Sequence, residues 1–312
     1  TLDALVLDAG YEDSWVHPDG FLRLGALYGR DEWFRQTQAA MGQPALAGSF
    51  VHLYLNGLYW GLYSAIEAPT AGAAARQLGG IAADYDVIGP SGPVAGDASA
   101  WSTLLSLVGG DTSQRATYDQ IRAYLDLENL ADFAILHRFA SHRTTDAQGW
   151  YAVRHRGANS TFQFWGWDSE EILGNACGVA PPFDPLTIGP EYLFSKLTAN
   201  AEFRQLVADR ASHHVRQGGA LSDEAALSRL LALELSPAMV GESARWGDYR
   251  RDAHPYSTTT TTGTTTPPGE LFTLAHWEAE RGRIATNYLP NCGETLFANL
   301  GDAGLFPAID AP

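Results

Sequence analysis

The alternation of apolar and polar residues is sharpest over Phe50 to Glu67, FVHLYLNGLYWGLYSAIE. Two runs rich in Val, Leu, Tyr and Trp flank Asn56-Gly57, and Asn-Gly tolerates the positive φ values of a two-residue type I′ turn. A β-hairpin follows, and the turn sets its register. Leu55 is expected opposite Leu58, Tyr54 opposite Tyr59, Leu53 opposite Trp60, His52 opposite Gly61 and Val51 opposite Leu62. One face is then Val51, Leu53, Leu55, Leu58, Trp60 and Leu62, wholly apolar, and it calls for a core. The other carries His52, Tyr54, Tyr59, Gly61 and Tyr63. Gly61 opposite His52 leaves a gap in which a flat ligand fits. An ordinary central hairpin with a half-exposed face explains the same spacing.

Elsewhere the pattern predicts a strand over Leu2 to Leu7, a helix from Arg30 to Met41, a short Ala-rich helix from Thr70 to Leu78 and a strand over Tyr85 to Ile88. Gly89 to Gly96 reads as a loop. Helical periods then dominate, with segments at 97–108, 112–125 and 128–142. A second hairpin, Trp150 to Arg154 and Thr161 to Trp167, interrupts them. Further helices are expected at 190–197, 201–215, 223–235, from Pro237 and at 271–288. The Thr-rich run 258–268 reads as a disordered insertion. The expected organisation is α+β: a β-rich part over 1–90, a helical part over 91–292 with the hairpin 150–167 embedded in it, and an extension over 293–312. A β lobe against an α lobe places a cleft at their junction, where small ligands usually sit.

The formal net charge of −16 repels a phosphate backbone and argues against nucleic-acid binding. No apolar run is long enough to span a bilayer. The chain begins at Thr1 rather than Met, with residues that already read as a strand. It is therefore expected to be cut from a longer chain, with an upstream segment. Cys177 and Cys292 fit no metal spacing. One bridge is open to them, but the expectation is two separate free thiols.

The residues that carry candidate chemistry are acidic. Asp168 stands where an aromatic strand ends, followed by Ser169, Glu170 and Glu171. Such a carboxylate group suits Mg²⁺ with phosphate oxygens. It equally suits an N-cap, with Glu171 completing a capping box. Asp146 lies in the loop before Trp150, and the order helix, loop acid, hairpin, second acid is that of protein kinases. An Asx-type turn explains it as well. Glu67 ends the second hairpin strand, where a nucleotide hinge or a solvated carboxylate fits. The adjacent His213 and His214 lack the spacing of a helical metal pair. Arg245-Trp246-Gly247-Asp248 reads as a structural Arg–Asp pairing.

FVHLYLNGLYWGLYSAIEAP resembles the signature hairpin of the CotH kinase family, the spore-coat-protein-H-like atypical kinases. RDEWFRQTQAAMG, the LGG…DYDVI run, WYAVR and FWGWDSEEIL are similar to it too. ESARWGDYR and GLFPAIDAP resemble the long bacterial members, secreted or surface-anchored. The resemblance runs from about Leu5 to Pro312. It implies a kinase-like bilobal fold, outside the cell or at its surface, that uses ATP with Mg²⁺ or Mn²⁺ to phosphorylate Ser/Thr hydroxyls of a protein substrate. Residue by residue, it implies metal binding by Asp168 and Glu170 and a hinge role for Glu67. It places Glu32 on the helix that pairs a phosphate-binding lysine; with ATP as the ligand, the gap between His52 and Gly61 on the hairpin face is where a nucleotide is expected. The family's lysine lies upstream of Thr1, and the only lysine here is Lys196. The family's loop Asp and Asn fall on Thr144 and Gly149, with Asp146 two residues out of register as the candidate base. The rival reading is a non-catalytic interaction module that keeps the fold. An acid-pair glycosidase rests on carboxylate abundance alone.

Overall fold

The computed structural model describes residues 3–143, 145–157, 160–181, 189–255 and 270–306. In chain order the elements are β1 (Leu5–Asp8), α1 (Gly20–Leu24), α2 (Arg30–Ala40), β2 (Gly48–Leu55), β3 (Leu58–Glu67), α3 (Ala71–Leu78), β4 (Tyr85–Gly89) and β5 (Gly92–Ala95). Helices α4 (Ser99–Val108), α5 (Arg115–Arg122), α6 (Leu127–Ala140) and α7 (Thr145–Gln148) come next, then β6 (Trp150–His155) and β7 (Gln163–Gly166). The described chain closes with α8 (Pro190–Leu197), α9 (Ala201–Val215), α10 (Asp223–Ala232), α11 (Ser236–Trp246), α12 (Leu274–Arg283) and α13 (Cys292–Asp302). The class is α+β, as expected. The run 258–268 lies outside the described residues, as do residues 307–312.

The strands form two antiparallel sheets, ordered β1-β3-β2 and β5-β4-β6-β7. The hairpin 150–167 is therefore not isolated among helices. β6 pairs with β4, Tyr85 opposite His155 and Ile88 opposite Ala152. The stretch read as a loop at Gly89 to Gly96 contains β5.

Asn56 and Gly57 have φ of 51° and 81°, as a type I′ turn requires. Leu55 pairs with Leu58 and Tyr54 with Tyr59 as expected, but the rest of the register is corrected. Trp60 is an extra residue in β3, so Leu53 faces Gly61, His52 faces Leu62 and Val51 faces Tyr63. This is a β-bulge, and α11 holds it open. The Trp60 carbonyl accepts from Trp246 Nε1 at 2.8 Å, and the Leu62 amide donates to Glu242 Oε1 at 2.5 Å. The apolar face is corrected too. Leu62 is buried, whereas Leu58 is 68% exposed because the tip projects past the core.

The core is built around α6. Every residue from Leu127 to Ala140 except Glu128 is buried, which marks a helix enclosed on all sides. Its polar side chains are paired, as burial demands. Asn129 accepts from the Phe164 amide at 2.6 Å, Asp132 pairs with Arg210 and His214, and Arg138 pairs with Glu191. Arg245 is a further correction. Its guanidinium lies 4.1 Å from the Trp246 ring centroid and 5.0 Å from that of Trp60, so it stacks on aromatics rather than pairing with Asp248. Cys177 and Cys292 are both free thiols, as expected, but they are not separate, since their side chains are hydrogen-bonded to each other.

Candidate acidic metal site

The loop after β1 is tied down by its own polar groups. The Gly10 amide donates to Asp8 Oδ1 at 3.0 Å, and the Asp13 amide to the Gly10 carbonyl at 3.1 Å. Asp13, buried, accepts from the Leu27 amide at 2.7 Å and pairs with Arg30. The same guanidinium donates to Glu280 at 2.6 Å and, through Nε, to the Ile172 carbonyl at 2.8 Å. Residues 13, 30, 172 and 280 are thus locked together, and Glu12 is delivered beside them.

The second arm is the segment after β7. Asp168 has φ of 50°, uncommon for a residue with a side chain. Its carbonyl lies 3.3 Å from His142 Nε2, and the Ser169 amide donates to Asp31 Oδ1 at 3.0 Å. Glu170, 5% exposed, accepts the Glu12 amide at 2.7 Å. Carboxylate oxygens of Glu12, Asp168 and Glu170 all lie within 4.8 Å of one another. Residues 169–181 form no helix, so the capping reading has nothing to cap.

The electrostatics are strained. Burial pushes Asp168 up to about 7, with the charges of Glu12, Asp31, Asp8 and Glu171 adding to the effect. Burial also pushes Glu170 up to about 11, helped by the charge of Asp8, by a side-chain hydrogen bond with the Glu12 carboxyl and by the charge of Asp13. Like charges in a partly dry site raise each other's cost of ionisation. Among the described residues no arginine, lysine or histidine forms an ion pair with any of the three. Three converging carboxylate oxygens without a basic partner fit a hard divalent cation such as Mg²⁺ or Mn²⁺.

Two spaces adjoin this group. One, beneath the first sheet between Asp8, Glu32, Tyr63 and Glu170, has a volume of about 20 Å³. That is room for roughly one water molecule and not for a nucleotide. The other, about 680 Å³, shares Glu12, Glu170 and Arg30. Its walls include Phe21, Leu24, Ile172 and Val179, with Arg143 and Arg283, and its volume is typical of ligand sites.

The remaining expected site residues are spread over the molecule. The Glu67 carboxylate, 1% exposed, is held by Arg76 and by Gln77 Nε2 at 3.3 Å. Glu32 lines the narrow space but is engaged by Arg35 at 2.7 Å and Gln36 at 2.8 Å. His52 contacts the Tyr59 hydroxyl at 3.2 Å. The gap expected at Gly61 is filled: a Cβ there would lie 3.3 Å from Glu242 Oε1 and from Trp246 Nε1. Asp146 sits in the single turn α7, and its side chain lies outside the described residues, as does Thr144. Lys196 is exposed on α8, with Nζ 5.7 Å from the Tyr192 ring centroid.

Glu12, Asp31 and His142 escaped the sequence reading. Glu12 lies in a turn-rich stretch with nothing to distinguish it from other loop acids. His142 was visible only as the last residue of a helical period.

No curated protein matches the chain. A family profile described as CotH kinase protein matches residues 30–285, a span that takes in Asp168 and Glu170 and leaves Glu12 outside. Those residues are most of the sequence, and the chain belongs to the CotH kinase family.

Proposed function

We propose that the chain is the ion-holding part of a kinase-like, bilobal domain that takes ATP with Mg²⁺ or Mn²⁺ and phosphorylates Ser/Thr hydroxyls of a protein. The observation that carries this reading is the convergence of Glu12, Asp168 and Glu170, none of which is ion-paired to a basic side chain among the described residues. A bound divalent ion would neutralise phosphate charge and orient the transferring group. The protein's part is positional. His142 and Asp31 fix the backbone of Asp168 and Ser169, and the Glu12 amide fixes Glu170. The cavity of about 680 Å³ places its occupant against two of the three carboxylates.

A second reading, a module that binds the ion without transfer, draws on the placement of Lys196, exposed on α8 against Tyr192. Misplacing a catalytic group by about 1 Å can cost roughly a hundredfold in rate. Incubation with labelled ATP, Mn²⁺ and an acceptor protein, beside Asp168→Ala, separates the two. Labelling that disappears in the variant supports the kinase. Metal-dependent nucleotide binding without labelling supports the module. Absence of both metal and nucleotide binding in the wild type sinks both readings.

A further inference from the structure

The loop after Leu173 forms one wall of the large cavity, through Gly174, Asn175, Ala176 and Val179. Its far side is docked onto the start of α13. Asn299 Nδ2 donates to the Gly178 carbonyl at 2.6 Å, Thr295 hydrogen-bonds Cys177, and the Val179 amide donates to Ser141 Oγ at 3.1 Å. A Cβ on Gly178 would lie 3.1 Å from the Leu296 nitrogen and from Thr295 Cγ2, so the half-buried Cys177 packs against the first turns of α13, where the buried Cys292 is its hydrogen-bonding neighbour. The Gly178 amide also points at the Cys292 sulfur.

We propose that Cys177 and Cys292 are a disulfide-forming pair, a redox modification site that fixes this cavity wall to α13. The roles differ by environment. Cys177 is reachable from solvent, and the hydrogen bond from Cys292 lowers its thiol to about 7, so it is the attacking thiolate. Burial pushes Cys292 up, and it needs no access because its partner already touches it. The oxidant is a small-molecule disulfide. The Cys177 thiolate attacks one of its sulfurs, the S–S bond breaks and one thiolate leaves. Cys292 gives its proton to that thiolate and attacks Cys177 Sγ, expelling the second, which takes up through solvent the proton that Cys177 gave up on ionising. Two protein thiols are oxidised and one disulfide is reduced to two thiols. This inference stands whether or not the chain transfers phosphate.

The test treats the reduced chain with oxidised glutathione, then titrates thiols after unfolding and measures intact mass. The expected result is two thiols before and none after, with a mass lower by two hydrogens and a single cross-linked peptide joining Cys177 to Cys292. Amide exchange at 174–179 is expected to slow. Cys292→Ala is expected to accumulate a glutathione adduct on Cys177. Two titratable thiols persisting after oxidation, a stable adduct on wild-type Cys177 with Cys292 unreacted, or a bond between two chains would each overturn the proposal.

Discussion

Nε2 of His142 lies 3.3 Å from the Asp168 carbonyl oxygen, and Nδ1 of the same ring lies 2.7 Å from Nδ1 of His137. The geometry closes with two neutral rings. His142 donates through Nε2–H to Asp168 and accepts at Nδ1 from His137. Neutral imidazoles thus support the backbone of a residue in the acidic group.

Burial lowers His142 to about 4, and burial, His142 and Arg138 lower His137 well below 6.5. A histidine depressed on folding binds fewer protons folded than unfolded. Its contribution is complete above about 6.5 and is lost as pH falls towards 4. His142→Asn is expected to flatten the stability–pH curve over that window by about 3 kcal/mol. Urea titrations at pH 7, 5.5 and 4.5 check it, and equal slopes in both proteins refute it.

Asp168 has the opposite sign. Its folded pKa, raised from 3.8 to about 7, means that stability is lost as pH rises through that window. Asp168→Asn is expected to be more stable than wild type at pH 8 by about 2 kcal/mol after allowance for solvent screening, with the difference vanishing near pH 4. Mn²⁺ is expected to close the gap at pH 8 by stabilising only the wild type. Thermal melts with and without Mn²⁺ decide, and an equal Mn²⁺ shift in both chains counts against an ion at Asp168.

Glu12→Gln removes one charge from a group that would share an ion. Mn²⁺ affinity is expected to fall about tenfold, roughly 1.4 kcal/mol, while urea stability without metal holds or rises. Calorimetric titration measures the first, and unchanged affinity would exclude Glu12 from the site.

Gly61→Val is expected to act on stability. Gly61 has φ of 153°, and a side chain there meets Glu242 and Trp246 at 3.3 Å. Overpacking of this kind costs about 1–3 kcal/mol. A denaturation midpoint equal to wild type would show that the bulge tolerates a side chain.

What the sequence revealed followed local chemistry. Asn56-Gly57 announced a turn, and the aromatic run ending at Trp167 announced the acids Asp168 and Glu170. The bulge at Trp60 was hidden because Glu242 and Trp246, some 180 residues away, create it. Glu12 was hidden for the same reason, since its amide is bound to Glu170 across 158 positions. The thiol pair stayed hidden because spacing says nothing about contacts between residues so far apart.

Arg30 reaches across 250 positions to Glu280. During synthesis that partner emerges long after the acidic loops have been made. Glu280→Gln leaves the buried guanidinium with Asp13 as its remaining carboxylate partner, at a cost of about 3–5 kcal/mol. The same cation holds Asp13 and the Ile172 carbonyl, so it ties both arms of the acid-lined site to the late helix α12. Arg30 thus fastens the acidic loops to a helix that contributes none of the three carboxylates.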